Sequence, residues 1–207
     1  MRIIKEYDER KNEILTAAEK LFHTKGYEKC TVNDILKEVA IAKGTFYYYF
    51  KSKQEVLDAI VERYTEIVVN RVKAILQRDD LSPAQKLLKA FLSMKIEKQF
   101  GDDLLEEMHR SENSLLHQRT LHQMILALAP ILARIVEEGM EQKTWNCRYP
   151  LQYMQIFLAS SLTLTDEGIF ELDVDSQRSV MIALIAMLEK LMEVEENSFL
   201  QMFLQSQ

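Results

Sequence analysis

Apolar residues recur at helical spacing along almost the whole chain. The first such pattern places Ile14, Ala18 and Phe22 on one face and predicts an amphipathic helix over about residues 8–25. Gly26 follows directly, and glycine readily takes the left-handed conformation that ends many helices. The chain is therefore expected to open with a helix that has one apolar side and a defined end.

A second, shorter helix is predicted directly afterwards. Thr31 fits the N-cap position, and Asp34 three residues later completes a capping box of the weaker kind, because Asp is shorter than Glu. About two helical turns follow, with apolar positions at Val32, Ile35, Leu36 and Val39. Residues 40–42 leave no room for a strand before a third helix at Lys43–Phe50. A helix, a three-residue turn and a second short helix form the layout of a helix-turn-helix, whose second helix enters the major groove of DNA.

The segment Lys43–Phe50 has two chemically different faces when it forms a helix. Phe46 and Phe50 are four residues apart and share a face that can be buried. The other face carries a cation, a hydroxyl and two phenols, on Lys43, Thr45, Tyr47 and Tyr48. Gly44 lets the backbone come close to a partner, and such groups at a helix start suit phosphates and base edges. Burial tendencies alone favour an aromatic core helix instead. For Tyr49 two placements stay open, outward with the other phenols or inward towards the first helix.

The remainder of the chain is also predicted to be helical. Ser52 and Glu55 form a capping box that begins a long helix reaching about residue 78. Further helices are predicted at 83–99, 102–110, 113–143, 150–165 and 176–193, the last capped by Asp175 or Ser176, and a tail at 195–207 has apolar positions for one or two more turns. Pro130 is expected to kink the longest of them. With only 5 Gly and 3 Pro in 207 residues, the sequence predicts an all-α protein.

Charge is distributed unevenly along the chain. The formal net charge is −6, but residues 1–53 hold 11 Lys and Arg against 8 Asp and Glu, so the acidic excess lies in the remainder. This asymmetry is typical of a basic module that meets a polyanion, joined to an acidic body. The N-terminus has no apolar stretch of the signal-peptide kind, and the longest apolar run, Val180–Leu188, is far below the roughly 20 residues that cross a bilayer. Cys30 and Cys147 match no metal or redox spacing, so a reducing cytoplasm is expected.

The sequence offers no support for catalysis. His117 and His122 are five residues apart, which places them on different faces of a helix, whereas ligand pairs on a helix are three or four apart. The sequence also lacks glycine-rich phosphate loops and recognised nucleophile motifs. The acidic pair Glu137–Glu138 is interpreted as a solvated face. We therefore expect no enzyme activity, no metal site and no cofactor.

A resemblance to a known family is carried by the segments Ala17–Phe22, Lys25–Tyr27, Thr31–Ile35 and Lys43–Lys53. In this order they resemble the DNA-binding domain of the TetR family of transcriptional regulators, over roughly residues 10–58. The resemblance implies an all-α fold with an N-terminal three-helix helix-turn-helix DNA-binding domain, residues 1–53, and a C-terminal helical ligand-binding and dimerisation domain, residues 54–207. Ala40 departs from the pattern, because the family usually has Gly there. We expect the backbone at Ala40 not to be strongly left-handed.

The resemblance also implies functional residues, position by position. Base edges are expected at Lys43, Gly44 and Tyr47, and phosphates at Thr31, Thr45, Tyr48 and Lys53. A ligand site is expected among the body helices, since most family members sense a small molecule there. The resemblance does not identify the residues of this site. The candidates come from the residue pattern of the body helices and are Tyr64, Phe91, Met94, Met108, His109, His117, Leu121, Met124 and Phe157. Taken by themselves, Met and aromatic residues at helical spacing are more often ordinary core.

Two apolar helices near the C-terminus bear on assembly. Residues 156–164 and 180–188 are apolar on nearly every side, and such helices must be covered on every side. That requires either a central core position or a surface shared with a second copy. The resemblance favours the second arrangement, a homodimer through residues of about 150–165 and 176–193.

We interpret the sequence as that of a cytoplasmic, DNA-binding transcriptional regulator. It is expected to be a homodimeric repressor that a small-molecule effector releases from a palindromic operator in double-stranded DNA. The alternative is a protein-interaction subunit on the same fold that regulates a partner without binding DNA. The presence of Lys43, Thr45, Tyr47 and Lys53 favours DNA binding, and no membrane partner is expected.

Overall fold

α-Helices provide the secondary structure of the residues that the computed structural model describes, namely 2–94, 114–166 and 169–205. In chain order they are α1 (Arg2–Lys25), α2 (Val32–Val39), α3 (Lys43–Tyr49), α4 (Lys53–Leu76), α5 (Pro83–Ser93), α6 (Ser114–Glu141), α7 (Pro150–Leu164), α8 (Val174–Leu191) and α9 (Ser198–Gln205). These residues contain no strand, so the all-α prediction is confirmed. The helix predicted at 102–110 lies outside the described residues.

The chain divides into two compact units. The first comprises Met1–Tyr64 and Phe100–Thr120, and the second comprises Thr65–Gln99 and Leu121–Gln207. The division falls inside α4 and inside α6, so each of these helices contributes residues to both units.

The core of the first unit is built around aromatic side chains. Phe22, Phe46 and Phe50 have at most 2% of their surface exposed, and burying a side chain of this kind contributes roughly 1.5–3 kcal/mol to folding. At the edge of this core, Arg63 of α4 pairs with Glu19 of α1. The three aromatic residues come from α1, from the middle of α3 and from the C-cap of α3, so the burial of one of them depends on the placement of the others.

The end of α1 is set by a left-handed glycine. α1 begins at Arg2, six residues before the predicted start, and it ends at Lys25 as predicted. Gly26 follows with a φ of 79°. Tyr27 then folds back onto the last turn, where its ring packs edge-on against Phe22 with 5.1 Å between the ring centroids.

The predicted capping box of α2 is confirmed. The Asp34 N–H donates to Thr31 Oγ1 at 3.2 Å, and the Thr31 N–H donates to Asp34 Oδ2 at 2.9 Å. Lys25 also donates to Asp34 Oδ1 at 2.9 Å. Hydrogen bonds from Thr31, together with the bond from Lys25, hold the pKa of the Asp34 carboxyl well below its usual range.

The turn after α2 corrects the expectation about Ala40. Its φ of 55° and ψ of 45° lie in the left-handed region, which costs a residue with a side chain roughly 1–2 kcal/mol. This conformation brings the Ala40 N–H to Lys37 O at 3.3 Å and the Ile41 N–H to Leu36 O at 3.1 Å, which closes the helix. Ala40 therefore has the left-handed conformation that glycine usually supplies at this position, and its backbone is strained because of its Cβ atom.

Helix α6 runs through the core of the second unit. Leu128, Leu132 and Ile135 have at most 1% of their surface exposed. By length and composition alone, the stretch His117–Glu141 could cross a membrane. Burial of its apolar side chains against protein is nevertheless the pattern of a core helix. The helix continues through Pro130, which lies on its exposed side.

A buried ion pair joins α5 to α6. Lys86 Nζ donates to both carboxylate oxygens of Glu138, at 2.8 and 2.9 Å, and only 4% of the Lys86 side chain is exposed. Glu138 is therefore not the freely solvated acid that was predicted. Removing Glu138 would leave the buried Lys86 ammonium without its counter-charge, which costs roughly 3–5 kcal/mol.

Helix α8 begins two residues earlier than predicted. Its cap is Asp173, not Asp175 or Ser176, since Asp173 Oδ1 accepts the Ser176 N–H at 2.7 Å. On the core side of the helix, Leu184 is 7% exposed and Leu188 is 2% exposed. The C-terminal tail forms a helix as well, and this helix, α9, packs against α5 and α8.

Candidate nucleic-acid interface

Helix α3 separates its aromatic side chains into a buried and an exposed set. Phe46 is fully buried, whereas Tyr47 is 47% exposed and Tyr48 is 71% exposed. The separation follows from helical spacing, because Phe46 and the C-cap residue Phe50 lie on the same side. Two tyrosines left to solvent form an amphipathic surface of the kind that proteins use for contact with partners.

The exposed face of α3 also carries a cation and an open approach to the backbone. Lys43 is exposed, and its Nζ lies 5.9 Å from the centroid of the Tyr47 ring. A Cβ atom built on Gly44 would meet no atom of the described residues within 4 Å. Thr45 is half-buried. A cation, phenol groups and accessible backbone can together contact phosphate oxygens and base edges.

Tyr7 of α1 forms an aromatic cluster with Tyr48 and Tyr49. The centroid of the Tyr7 ring lies 4.8 Å from that of Tyr49 and 5.9 Å from that of Tyr48. Tyr49 therefore turns towards the first helix, which settles the alternative that the sequence left open. The cluster positions the exposed Tyr48 ring from α1. Sequence reasoning did not identify Tyr7, because this residue lies before the predicted start of the helix.

Lys53 is engaged inside the first unit. Its Nζ donates to the carbonyl oxygens of Tyr27 at 2.7 Å, Cys30 at 2.9 Å and Glu28 at 3.4 Å. The same ammonium lies 4.2 Å from the centroid of the Tyr27 ring. These bonds fasten the turn between α1 and α2. An ammonium has three protons, so a phosphate would have to share or replace one of these bonds, and the phosphate contact of Lys53 stays a prediction.

Thr31 and Cys30 lie at the start of α2. Thr31 is exposed, and its hydroxyl donates to Asp34 Oδ2 at 2.7 Å. The phosphate contact of this hydroxyl likewise stays a prediction. Cys30 is 1% exposed, and burial raises the pKa of its thiol, which keeps the sulfur in its less reactive neutral form.

Two family sequence patterns match the chain one after the other. The pattern described as "Bacterial regulatory proteins, tetR family" matches residues 14–60, which contain α2 and α3. The pattern described as "Tetracyclin repressor-like, C-terminal domain" matches residues 99–187. The chain belongs to the TetR family of transcriptional regulators. The resemblance found in the sequence is thereby confirmed, and α2 and α3 form the helix-turn-helix of this family.

Curated relatives match this TetR-family chain over part of its length. An uncharacterized HTH-type transcriptional regulator in the lacX 3′ region of Lactococcus lactis subsp. lactis is 45% identical over 78 residues, which are 37% of this chain and 39% of that protein. The HTH-type transcriptional regulator TtgR of Pseudomonas putida is 25% identical over 118 residues, which are 57% of this chain and 54% of that protein. The chain thus spans about two fifths to a half of the length of these two curated relatives.

Solved structures extend the likeness over most of the chain at the level of the fold. Reduced NemR of E. coli has a TM-score of 0.58 at 18% identity, covering 88% of this chain and 97% of that chain. SmeT, the repressor of the Stenotrophomonas maltophilia multidrug efflux pump SmeDEF, has a TM-score of 0.58 at 23% identity, covering 87% of this chain and 88% of that chain. At such identities the likeness shows the TetR fold alone.

The predicted ligand-binding residues of this TetR-family chain are divided between its two units. Tyr64 and His117 are buried in the first unit. The second unit contains Phe91, Met94, Leu121, Met124 and Phe157. Met108 and His109 lie outside the described residues. Phe91 and Phe157 stack on each other, with 4.4 Å between their ring centroids.

An apolar cavity of about 50 Å³ lies in the second unit. Its walls come from α5, α7, α8 and α9, and they include Phe91, Phe157 and Met181 together with Phe199, Met202 and Phe203 from α9. Sequence reasoning missed the contribution of the tail to this cavity. The available signal was the spacing of Phe199 and Phe203, four residues apart on one helical face.

Proposed function

We propose that this chain is a cytoplasmic DNA-binding transcriptional repressor that acts as a homodimer and leaves its operator when a small molecule binds. The observation that carries the proposal is the exposed face of α3. Lys43, Gly44 and Tyr47 lie there together, held in place by the buried Phe46 on the opposite side. This face belongs to the part of the chain whose charge balance is positive, as contact with a polyanion requires.

Base recognition is tested by Tyr47→Ala. Protein–DNA selection from a random duplex pool supplies the operator, and fluorescence anisotropy on operator variants measures affinity. Loss of a base contact costs about 1–3 kcal/mol, so discrimination between operator variants should fall about 5–150-fold. Tyr149→Ala is the matched control, because Tyr149 is similarly exposed, at 45%, but lies at the start of α7.

Unchanged affinity and unchanged base preference in Tyr47→Ala would remove α3 from the interface. If no duplex is enriched at all, the alternative of a protein-interaction subunit takes the place of the proposal.

Dimerisation is proposed through α7 and α8. Ile156 on α7 is 50% exposed within the single chain, although the helix around it is apolar. A second copy packed on this side would cover it and would place two α3 helices about one turn of DNA, ~34–36 Å, or a multiple apart. The operator would then be a near-palindrome.

The proposed dimer interface, called the seam below, is tested by the substitution Ile156→Glu, with light scattering as the measurement. The expected product is a folded monomer, because the carboxylate would lie between two apolar helices without a partner. Leu126→Glu is the control, since Leu126 is 52% exposed on α6, and it should remain dimeric. A dimeric Ile156→Glu protein would refute the seam. Leu184→Glu does not serve as a test, because Leu184 is buried in the core of its own chain.

Release by an effector requires that effector and DNA oppose each other. If the effector weakens DNA binding, DNA must weaken effector binding by the same factor, typically 1–3 kcal/mol or about 5–150-fold. Calorimetry with a compound found by thermal-shift screening, run with and without operator DNA, measures this factor. Equal affinities in the two titrations would show that the compound does not release this protein from DNA.

A further inference from the structure

We propose that the apolar cavity bounded by α9 binds an uncharged, apolar small molecule that contains a ring, and that α9 is the wall that moves outward to admit it. The inference rests on the proposed function only in taking this molecule to be the effector. The site includes α8 and the tail helix, whereas Tyr64 and His117 lie in the other unit.

The lining defines the chemistry of the ligand. All of the described residues that line the cavity are apolar. The stacked rings of Phe91 and Phe157 form one part of the wall, and Met181 supplies a polarisable thioether from α8. A charged or strongly polar ligand would lose its hydration here without gaining a hydrogen bond. A ring without charge loses little and can pack against the aromatic wall.

The size of the cavity shows that a wall has to move. Its volume is about 50 Å³, several times the roughly 10–15 Å³ that one water molecule requires. An apolar cavity that accepts benzene has a volume of about 150 Å³. A ring therefore enters only if one of the surrounding helices shifts outward.

Among the four helices that form the walls, α9 has the least buried side-chain surface to expose when it moves. None of its eight residues is buried, whereas each of the other walls contributes buried side chains, such as Leu87 of α5, Leu158 of α7 and Leu188 of α8. The apolar side chains of α9 also border empty space, so they lack part of the dispersion contacts of a filled core. An element with few buried apolar contacts opens at low free energy.

One buried carboxylate holds α9 in place. Glu189 on α8 is 2% exposed, and it accepts the N–H groups of Asn197 at 2.9 Å, Phe199 at 2.8 Å and Leu200 at 3.0 Å. These N–H groups belong to the cap and first turn of α9, which have no partners within their own helix. The charged acceptor therefore caps α9 from a neighbouring helix and adds to the cost of moving it.

The test is a titration with toluene, followed by NMR. The 207-residue chain is labelled with ¹³C at its methionine methyl groups. Met181 and Met202 line the cavity, and the fully buried Met154 does not. Assignment uses Met→Leu variants. Toluene should shift the Met181 and Met202 signals saturably and leave Met154 unchanged. Benzoate, which is a ring of similar size with a charge, should shift none of them at the same concentration.

Glu189→Gln tests the role of α9. The substitution keeps the volume and one acceptor oxygen but removes the charge. Because the ligand binds the form in which α9 has moved, loosening α9 should tighten toluene binding, about tenfold for the loss of one charge-assisted bond. Glu195→Gln, which removes a charge from the exposed segment before α9, should leave the toluene Kd unchanged. If Glu189→Gln does not fold, Met202→Ala enlarges the same space and should also tighten binding.

The outcomes separate this inference from the proposed function. If the Met181 and Met202 signals do not shift at the highest toluene concentration that dissolves, the cavity is only a packing defect. If benzoate binds as tightly as toluene, the proposed ligand class is refuted. An unchanged toluene Kd in Glu189→Gln would refute the movement of α9. Operator binding is measured on the same samples: DNA binding without toluene binding overturns the inference alone, and toluene binding without DNA binding overturns the proposed function alone.

Discussion

Gly44→Ala separates the stability of the first unit from its proposed contact with DNA. Gly44 is the second residue of α3, and a Cβ atom at this position meets no described atom within 4 Å. The new methyl group therefore causes no clash inside the protein. Glycine within a helix destabilises the folded protein by about 0.5–1 kcal/mol relative to alanine, so the variant should unfold at a higher temperature. For a chain of this size the expected rise in Tm is about 1–4 °C.

The same methyl group should weaken DNA binding. If Gly44 faces base edges, a Cβ atom fills the space through which the backbone approaches the DNA. A loss comparable to one specific contact, about 1–3 kcal/mol, corresponds to a 5–150-fold weaker operator affinity. Stability and affinity thus change in opposite directions, which is not the result of a general loss of structure.

Two measurements check the Gly44 prediction. Thermal unfolding followed by circular dichroism gives the change in Tm, and fluorescence anisotropy with the selected operator gives the change in Kd. Thr16→Ala is the matched control, because Thr16 is exposed on α1 of the same unit and alanine again improves helix propensity. It should raise Tm without changing the Kd. A Gly44→Ala protein that binds the operator as tightly as the parent would refute the placement of Gly44 at the DNA.

Three further substitutions probe the fold. Ala40→Gly should raise the free energy of unfolding by about 1 kcal/mol, as measured by urea denaturation, because it relieves the left-handed strain at φ 55°; an unchanged midpoint would contradict the strain. Gly139→Ala should lower it by at least 1–3 kcal/mol, because the Cβ atom would overlap the Trp145 indole; an unchanged Tm would contradict this packing. Burial lowers the pKa of His23 below 6.5, so the unfolded chain takes up a proton first as the pH falls through 6.5. Stability should therefore decrease towards pH 5.5, and His23→Gln should lose less stability over that interval in pH-dependent thermal unfolding.

The helix-turn-helix could be predicted because its signals are local in sequence. The capping pair Thr31 and Asp34, the helix-ending Gly26 and the four-residue spacing of Phe46 and Phe50 act within a few residues of one another. Such features form in the same way whatever the rest of the chain does. The division of α3 into a buried and an exposed face followed from the same spacing.

Other features depend on distant residues and could not be predicted. The role of Lys53 as a donor to the carbonyl groups of Tyr27 and Cys30 joins positions more than 20 residues apart. Lys86 forms an ion pair with Glu138, which lies 52 residues later in the sequence. The acid that was predicted to be solvated is therefore paired. The cap of α8 illustrates a different difficulty: Asp173, Asp175 and Ser176 all suit the position chemically, and only the observed bond to the Ser176 N–H distinguishes them.

Helix α8 explains why an apolar helix gives little information about its surroundings. A helix shows an amphipathic pattern only when one of its sides is left to water. Leu184 and Leu188 face the core, Met181 borders the cavity, and Glu189 caps α9 from the end of the same helix. The exposed side carries the small residue Ala183, which would allow a second helix to approach closely. The sequence posed a choice between a core helix and a shared surface, but these alternatives use different sides of α8 and do not exclude each other. The one charged residue among the buried positions of this helix is therefore more informative than the apolar run before it. An unpaired carboxylate is too costly to bury, so Glu189 marks the place where another segment has to dock.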